Sequence, residues 1–144
     1  MYKRILVPID GSETSNKALA TALQMARQAG GKVRLLHAID EMAALSGYEY
    51  SGELLRLARE RAAGVLADAL ATAQAAGVPA ETQLVEAAGA RLSDSVAEDA
   101  RIWEADLLVV GTHGRRGISR MLLGSGAEQI IRTSVQPVLV VRGA

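Results

Sequence analysis

The residues best suited to chemistry stand near the C-terminal end of the 144-residue chain. Gly111-Thr112-His113-Gly114-Arg115-Arg116-Gly117 runs on through Ile118 to Leu123 and closes with Gly124-Ser125-Gly126. Glycine allows positive φ and lets a ligand approach backbone N–H groups closely. Gly124-Ser125-Gly126 opens a helix, where unpaired N–H groups and the positive dipole end favour an anion. The spacing fits a phosphate cradle; it also fits a surface loop in which Ser125 only caps the helix. Arg115, Arg116 and Arg120 could pair with phosphate oxygens, although surface arginines are as often simply solvated. His113 could add a hydrogen bond that strengthens in mild acid. Far away in sequence, Asp10 follows the first apolar run. A carboxylate there could bond a sugar hydroxyl or a nucleotide-bound Mg²⁺. Asp10 and Ser12 compete to cap the next helix; the cap preference favours Ser12 and leaves Asp10 for the site.

Other chemistries are excluded by what is missing. There is no Cys, and His37 and His113 are the only histidines, so thiolate and zinc sites are not expected. There is no G-x4-G-K-[ST] lysine loop and no G-x-S-x-G elbow. Efficient catalysis is therefore not expected, and hydrolysis of a bound nucleotide would be slow at most. Sixteen basic residues balance sixteen acidic ones and aromatics make up 3%, which argues against a nucleic-acid partner. No apolar run approaches the roughly 20 residues of a membrane span. Ile5–Ile9 is too short for the core of a signal peptide, so a cytoplasmic location is expected by default.

These residues need elements to position them. Ile5-Leu6-Val7-Pro8-Ile9, Val33–Ile39, Thr82–Glu86, Leu107–Val110 and Val138–Val141 read as strands. Helical patterns alternate with them. The first carries Leu19, Ala22, Leu23 and Ala26 on one face, and Gly30-Gly31 stops it. The second carries Leu54, Leu57, Ala58, Ala62, Val65, Leu66 and Ala69. The third carries Leu92, Val96, Ala100 and Trp103; the last carries Ala127, Ile130 and Ile131. Residues 40–52 read as a loop, His37 and Trp103 as core residues, and Glu98 and Asp99 as a solvated helix face. Strict alternation implies a single α/β domain over 1–144. The expected architecture is a three-layer, doubly wound, five-stranded parallel sheet of order 3-2-1-4-5. Such sheets bind ligands beyond the strand carboxyl ends where the order reverses, after strands one and four.

Gly111-x2-Gly114-x9-Gly124-Ser125 resembles the G-x2-G-x9-G-(S/T) signature of the ATP-binding universal stress proteins. The opening Ile5–Ser12, the Ala105–Val110 strand and the closing Pro137–Arg142 extend the resemblance over nearly the whole chain. It implies a Rossmann-like fold of the adenine nucleotide alpha hydrolase type and a stress-response role. The ligand would be ATP with Mg²⁺, with ADP and AMP left open. It places Pro8, Ile9 and Asp10 beside the nucleoside and Ala38 beside the adenine. Gly111, His113 and Gly114 would line ribose and phosphates and Gly124 and Ser125 would hold the terminal phosphates, with Val110, Gly126 and Ala127 also among the nucleotide-binding residues. Asp10 would reach any metal through the Mg-nucleotide. Gly126 departs from the family, where a helix former is usual, and costs roughly 0.5–1 kcal/mol of helix propensity relative to Ala.

Two rivals share the sheet order. A phosphorelay receiver needs an Asp after strand three, where this chain has Val85-Glu86-Ala87-Ala88. A flavodoxin binds phosphate after strand one, where the Asp10 carboxylate would repel it. The resemblance also implies a homodimer through strand 138–141, whose apolar edge the few residues after it are too short to cover.

Overall fold

The computed structural model describes residues 2–40, 52–87, 92–112 and 125–143. The elements are β1 (Arg4–Pro8), α1 (Glu13–Ala29), β2 (Lys32–Asp40), α2 (Gly52–Ala75), β3 (Ala80–Ala87), α3 (Leu92–Trp103), β4 (Leu107–Gly111), α4 (Ser125–Thr133) and β5 (Val138–Val141). The five strands form a parallel sheet of order β3-β2-β1-β4-β5, as expected from the alternation. No helix among the described residues is long and apolar enough to cross a membrane.

Alternation along each strand divides the side chains between two cores. Ile5, Val7, Val33, Leu35, Leu107 and Val109 face α1 and α2. Leu6, Leu36, Leu108 and Val110 face α3 and α4. The central strands β1 and β4 are thus apolar on both sides, as a sheet covered by helices requires. On α1, Ala18, Leu19, Ala22, Leu23 and Ala26 make the buried stripe. Ser12 starts this helix as expected, its Oγ accepting the Ser15 N–H at 3.1 Å. Such a cap is worth about 1 kcal/mol.

Two expectations need correction. On α2 the buried stripe is Leu55, Ala62, Leu66, Ala69 and Ala73, whereas Leu54 and Leu57 are 47% and 43% exposed. At 100° per residue, Leu57 lies about 140° around the helix from Ala62, so the two cannot share a core face. Ala58 and Val65, nearer the stripe, are partly buried. The loop expected over 40–52 is bracketed by Asp40 at the end of β2 and Gly52 at the start of α2; residues 41–51 lie outside the described residues.

The second correction concerns Asp99, which is 8% exposed. It lies one turn from both Val96 and Trp103, on the core side of α3. Arg34 of β2 meets it in a fork, Nε to Oδ2 at 2.8 Å and Nη2 to Oδ1 at 3.0 Å. Arg34 also approaches Glu81 of β3 at 3.4 Å, and Trp103 Nε1 donates to that same carboxylate. The Arg4 guanidinium lies 4.4 Å from the centre of the Trp103 ring. Trp103 is buried as expected, yet it also ties β1, β2, β3 and α3 together at the amino ends of the strands. Glu98, the neighbour, is exposed and pairs with Arg101.

Candidate functional site

At the carboxyl ends, β1 and β2 stay paired further than β1 and β4 do. The β1–β2 register continues to Pro8–Leu36, while the β1–β4 ladder stops at Leu6–Leu108. Proline explains the difference. Lys3 O and Ile9 N bond β2, through Lys32 N and Leu36 O, whereas Arg4 O accepts from Asp106 N on the β4 side. Odd-numbered residues of β1 therefore bond β2 and even-numbered ones face β4. Pro8 faces β4 at the point where it has no N–H to give. This is the point of strand-order reversal, where sheets of this kind are expected to open a crevice.

Asp10 lies at this opening, half-buried. Its Oδ1 accepts the Ser12 N–H at 2.9 Å and its own N–H approaches Ser15 Oγ at 3.3 Å. Gly11 between them has φ of 82°, a value that would strain any other residue. No described residue donates to the second carboxylate oxygen, Oδ2. Ile9 is anchored to β2 on both sides of its peptide unit. Its N–H bonds Leu36 O at 2.7 Å, and its carbonyl oxygen lies 2.6 Å from His37 Nδ1.

The exit of β4 is fixed from two directions. The Thr112 N–H bonds Val141 O at 3.0 Å, and its Oγ1 accepts the Gly143 N–H at 3.0 Å. Thr112 is fully buried. A Cβ on Gly111 would stand 2.7 Å from the Thr14 carbonyl oxygen. Gly111 is thus required for the close seating of β4 on the first turn of α1, a reason independent of any ligand.

The structure brings Pro8, Ile9, Asp10, Ala38, Val110 and Gly111 to the carboxyl ends of three neighbouring strands. They differ in what they present. Ile9, Val110 and Ala127 have their side chains in the cores, so only their backbone can meet a ligand. Pro8, Asp10, Ala38 and Gly111 are partly exposed, and Gly126 is exposed in the first turn of α4 with open space around its Cα. Ser125 begins α4. His113, Gly114 and Gly124 lie outside the described residues, as do Arg115, Arg116 and Arg120.

Sequence reasoning missed two residues. His37 is half-buried beside the site and bonded to Ile9, not sealed in a core. Thr112, given no role by the sequence pattern, holds the exit of β4. A histidine directly before the predicted adenine neighbour, and a β-branched hydroxyl inside a glycine-rich turn, were the available signals.

Among the described residues no three His, Asp or Glu side chains gather to hold a metal ion. Of the described site residues Asp10 alone has a carboxylate oxygen to offer one, so a divalent ion there would arrive with a ligand's own phosphate oxygens. The arrangement suits an α/β protein that holds a small polar ligand at its switch point.

The comparisons give the family and bear out the fold. The chain belongs to the universal stress protein family, whose sequence model matches residues 1–142. It is 33% identical to universal stress protein MJ0531 of Methanocaldococcus jannaschii over 147 aligned residues, covering 99% of this chain and 83% of that protein. The solved structure of MJ0577, from the same organism, superposes with a TM-score of 0.87 at 30% identity, covering 100% of this chain and 98% of that one. A universal stress protein solved in complex with cAMP superposes with a TM-score of 0.71 at 30% identity, covering 99% and 98%.

Proposed function

We propose that this protein binds an adenine nucleotide, ATP with Mg²⁺, in the crevice between β1 and β4, and acts in a cytoplasmic stress response by holding it. The observation that supports the reading is the early end of the β1–β4 ladder at the point where the strand order reverses. The β1–β4 ladder ends at Leu6–Leu108, Pro8 offers β4 no N–H beyond it, Asp10 follows two residues later, and Gly111 to Ser125 spans from the end of β4 to the start of α4. Asp10 Oδ2 bonds the ribose or the nucleotide's metal, and the signature glycines with Ser125 take the phosphates. The likeness to a protein solved with cAMP, itself an adenine nucleotide, supports the base and ribose part of this assignment.

The role is binding. Asp10 and His37 are the titratable side chains placed at the described part of the crevice, and both are already engaged with backbone groups. Turnover is expected far below the enzyme median of about 10 s⁻¹. We further assign a homodimer to the β5 edge, where Leu139 is 37% and the adjacent Val135 89% exposed. The buried Ser134 Oγ and Gln136 Oε1 find no partner among the described residues.

Mass analysis of nucleotide released by denaturing fresh protein, with calorimetry of ATP, ADP, AMP and cAMP with and without Mg²⁺, tests the reading. Ser125→Ala should weaken ATP by about 1.5–3 kcal/mol, the range for a hydrogen bond to a charged group. Absence of binding heat for all four nucleotides at millimolar concentration would overturn it.

A further inference from the structure

Parallel pairing predicts a bond at the site that does not form. Even-numbered N–H groups of β2 face β1, as Lys32 N does in bonding Lys3 O, while Val33 N bonds Pro79 O on the β3 side. Continued two residues at a time, this ladder would bring Ala38 N–H to the Ile9 carbonyl. The Ile9 oxygen is met by the His37 imidazole instead, at 2.6 Å from Nδ1. A carbonyl oxygen only accepts, so Nδ1 carries the proton and Nε2 of the neutral ring does not. Ala38 N–H is left on the crevice side of β2 without an acceptor among the described residues.

We infer that His37 is a positioning residue of the nucleotide site. Its imidazole replaces the last rung between β1 and β2. It thereby fixes the Ile9–Asp10 peptide in the orientation that points the Asp10 carboxylate into the crevice. Three bonds converge on that short stretch: Leu36 O to Ile9 N, His37 Nδ1 to Ile9 O, and Asp10 Oδ1 to Ser12 N. Of these, the His37 bond is the one made by a side chain of another strand, and so the one a single substitution can remove without altering Asp10 itself. The inference rests on the adenine-nucleotide reading above and adds a residue that acts through Asp10.

The test has two independent arms. Long-range ¹H–¹⁵N correlation on the unliganded wild type should show the neutral His37 ring protonated at Nδ1; the Nε2-protonated form would overturn the inference without any nucleotide. Calorimetry with Mg-ATP should show His37→Ala binding about three- to tenfold more weakly, the worth of one hydrogen bond. His37→Asn, whose side-chain N–H can reach the place of Nδ1, should restore affinity to within about twofold. In an Asp10→Asn background the His37→Ala loss should shrink below about twofold, because the group being positioned has lost its charge. Equal losses in both backgrounds, no rescue by Asn, or full Mg-ATP affinity in Asp10→Asn would each overturn the assignment. Failure of the wild type to bind any adenine nucleotide would instead refute the functional reading, and the tautomer measurement would still decide the geometry.

Discussion

Substituting Val140 by proline separates the fold of the monomer from its proposed assembly. Leu108 N bonds Pro137 O and Thr112 N bonds Val141 O, so odd-numbered residues of β5 face β4. Val138 and Val140 turn their N–H and carbonyl groups outward, along the open edge of the sheet. Val140→Pro removes an outward donor and leaves the β4–β5 ladder whole. In a two-fold pairing of β5 with its copy the loss occurs twice, once from each chain. At about 1 kcal/mol per hydrogen bond, plus a partner carbonyl left unpaired, the dimer should weaken by about 2–4 kcal/mol, or roughly 30- to 1,000-fold in Kd. Leu139→Pro is the control. Its N–H faces β4, so it should destabilise the monomer instead. Sedimentation equilibrium over a broad concentration range, with circular dichroism for folding, reads both effects. A Val140→Pro dimer within threefold of wild type, or Val140→Pro unfolding as readily as Leu139→Pro, would refute the strand-parity argument.

Asp99→Ala leaves Arg34 buried with only the half-exposed Glu81 beside it, and urea unfolding should show a loss of about 2–3 kcal/mol. That is below the full cost of orphaning a buried charge, because Glu81 retains part of the pairing; the melting temperature should fall by about 5–10 °C. Gly111→Ala puts a methyl 2.7 Å from the Thr14 carbonyl oxygen and should cost about 1–3 kcal/mol in the same assay through strain between β4 and α1. Gly126→Ala meets nothing within 4 Å and should stabilise by about 0.5–1 kcal/mol through helix propensity. Hydrogen bonding to Arg101, against some desolvation and aided by the guanidinium charge, holds the Glu98 carboxyl below its ordinary range. The pair's contribution is therefore present above the ordinary glutamate range and fades as pH falls through the lowered value. NMR titration should show Glu98 returning to the ordinary range in Arg101→Ala.

Sheet order and the two cores were legible because they follow from local pattern and chain geometry. Apolar runs such as Leu107–Val110 bounded by turns admit little but buried parallel strands, and right-handed crossovers then leave few strand orders. That Asp10 and Gly111 would stand at strand carboxyl ends was legible because the same topology dictates where the strand ends go. The role of Asp99 was not. Whether a carboxylate on a helix faces water or a guanidinium depends on what the neighbouring strand offers, and Arg34 is 65 residues away. The phase of α2 failed for a different reason. Alanine is indifferent to burial, so an Ala-rich helix leaves its core face to be fixed by the few large residues, and Leu54, Leu55 and Leu57 point in different directions.

Pro8 joins these scales. In a strand buried on both faces a proline is normally excluded because it removes a ladder donor. Here the missing donor faces β4 at the level where the β1–β4 ladder ends, so the local defect and the proposed site coincide. On the opposite side of β1 Ile9 is held at both its N–H and its carbonyl, by Leu36 O and the His37 imidazole. One side of β1 is released and the other stays bonded within two residues. A site built this way gains its opening from the covalent structure of the chain and its rigidity from hydrogen bonds on the far side. The Arg34–Asp99–Trp103 network meanwhile secures the amino ends of the same strands, so that opening one end of the sheet does not loosen the other.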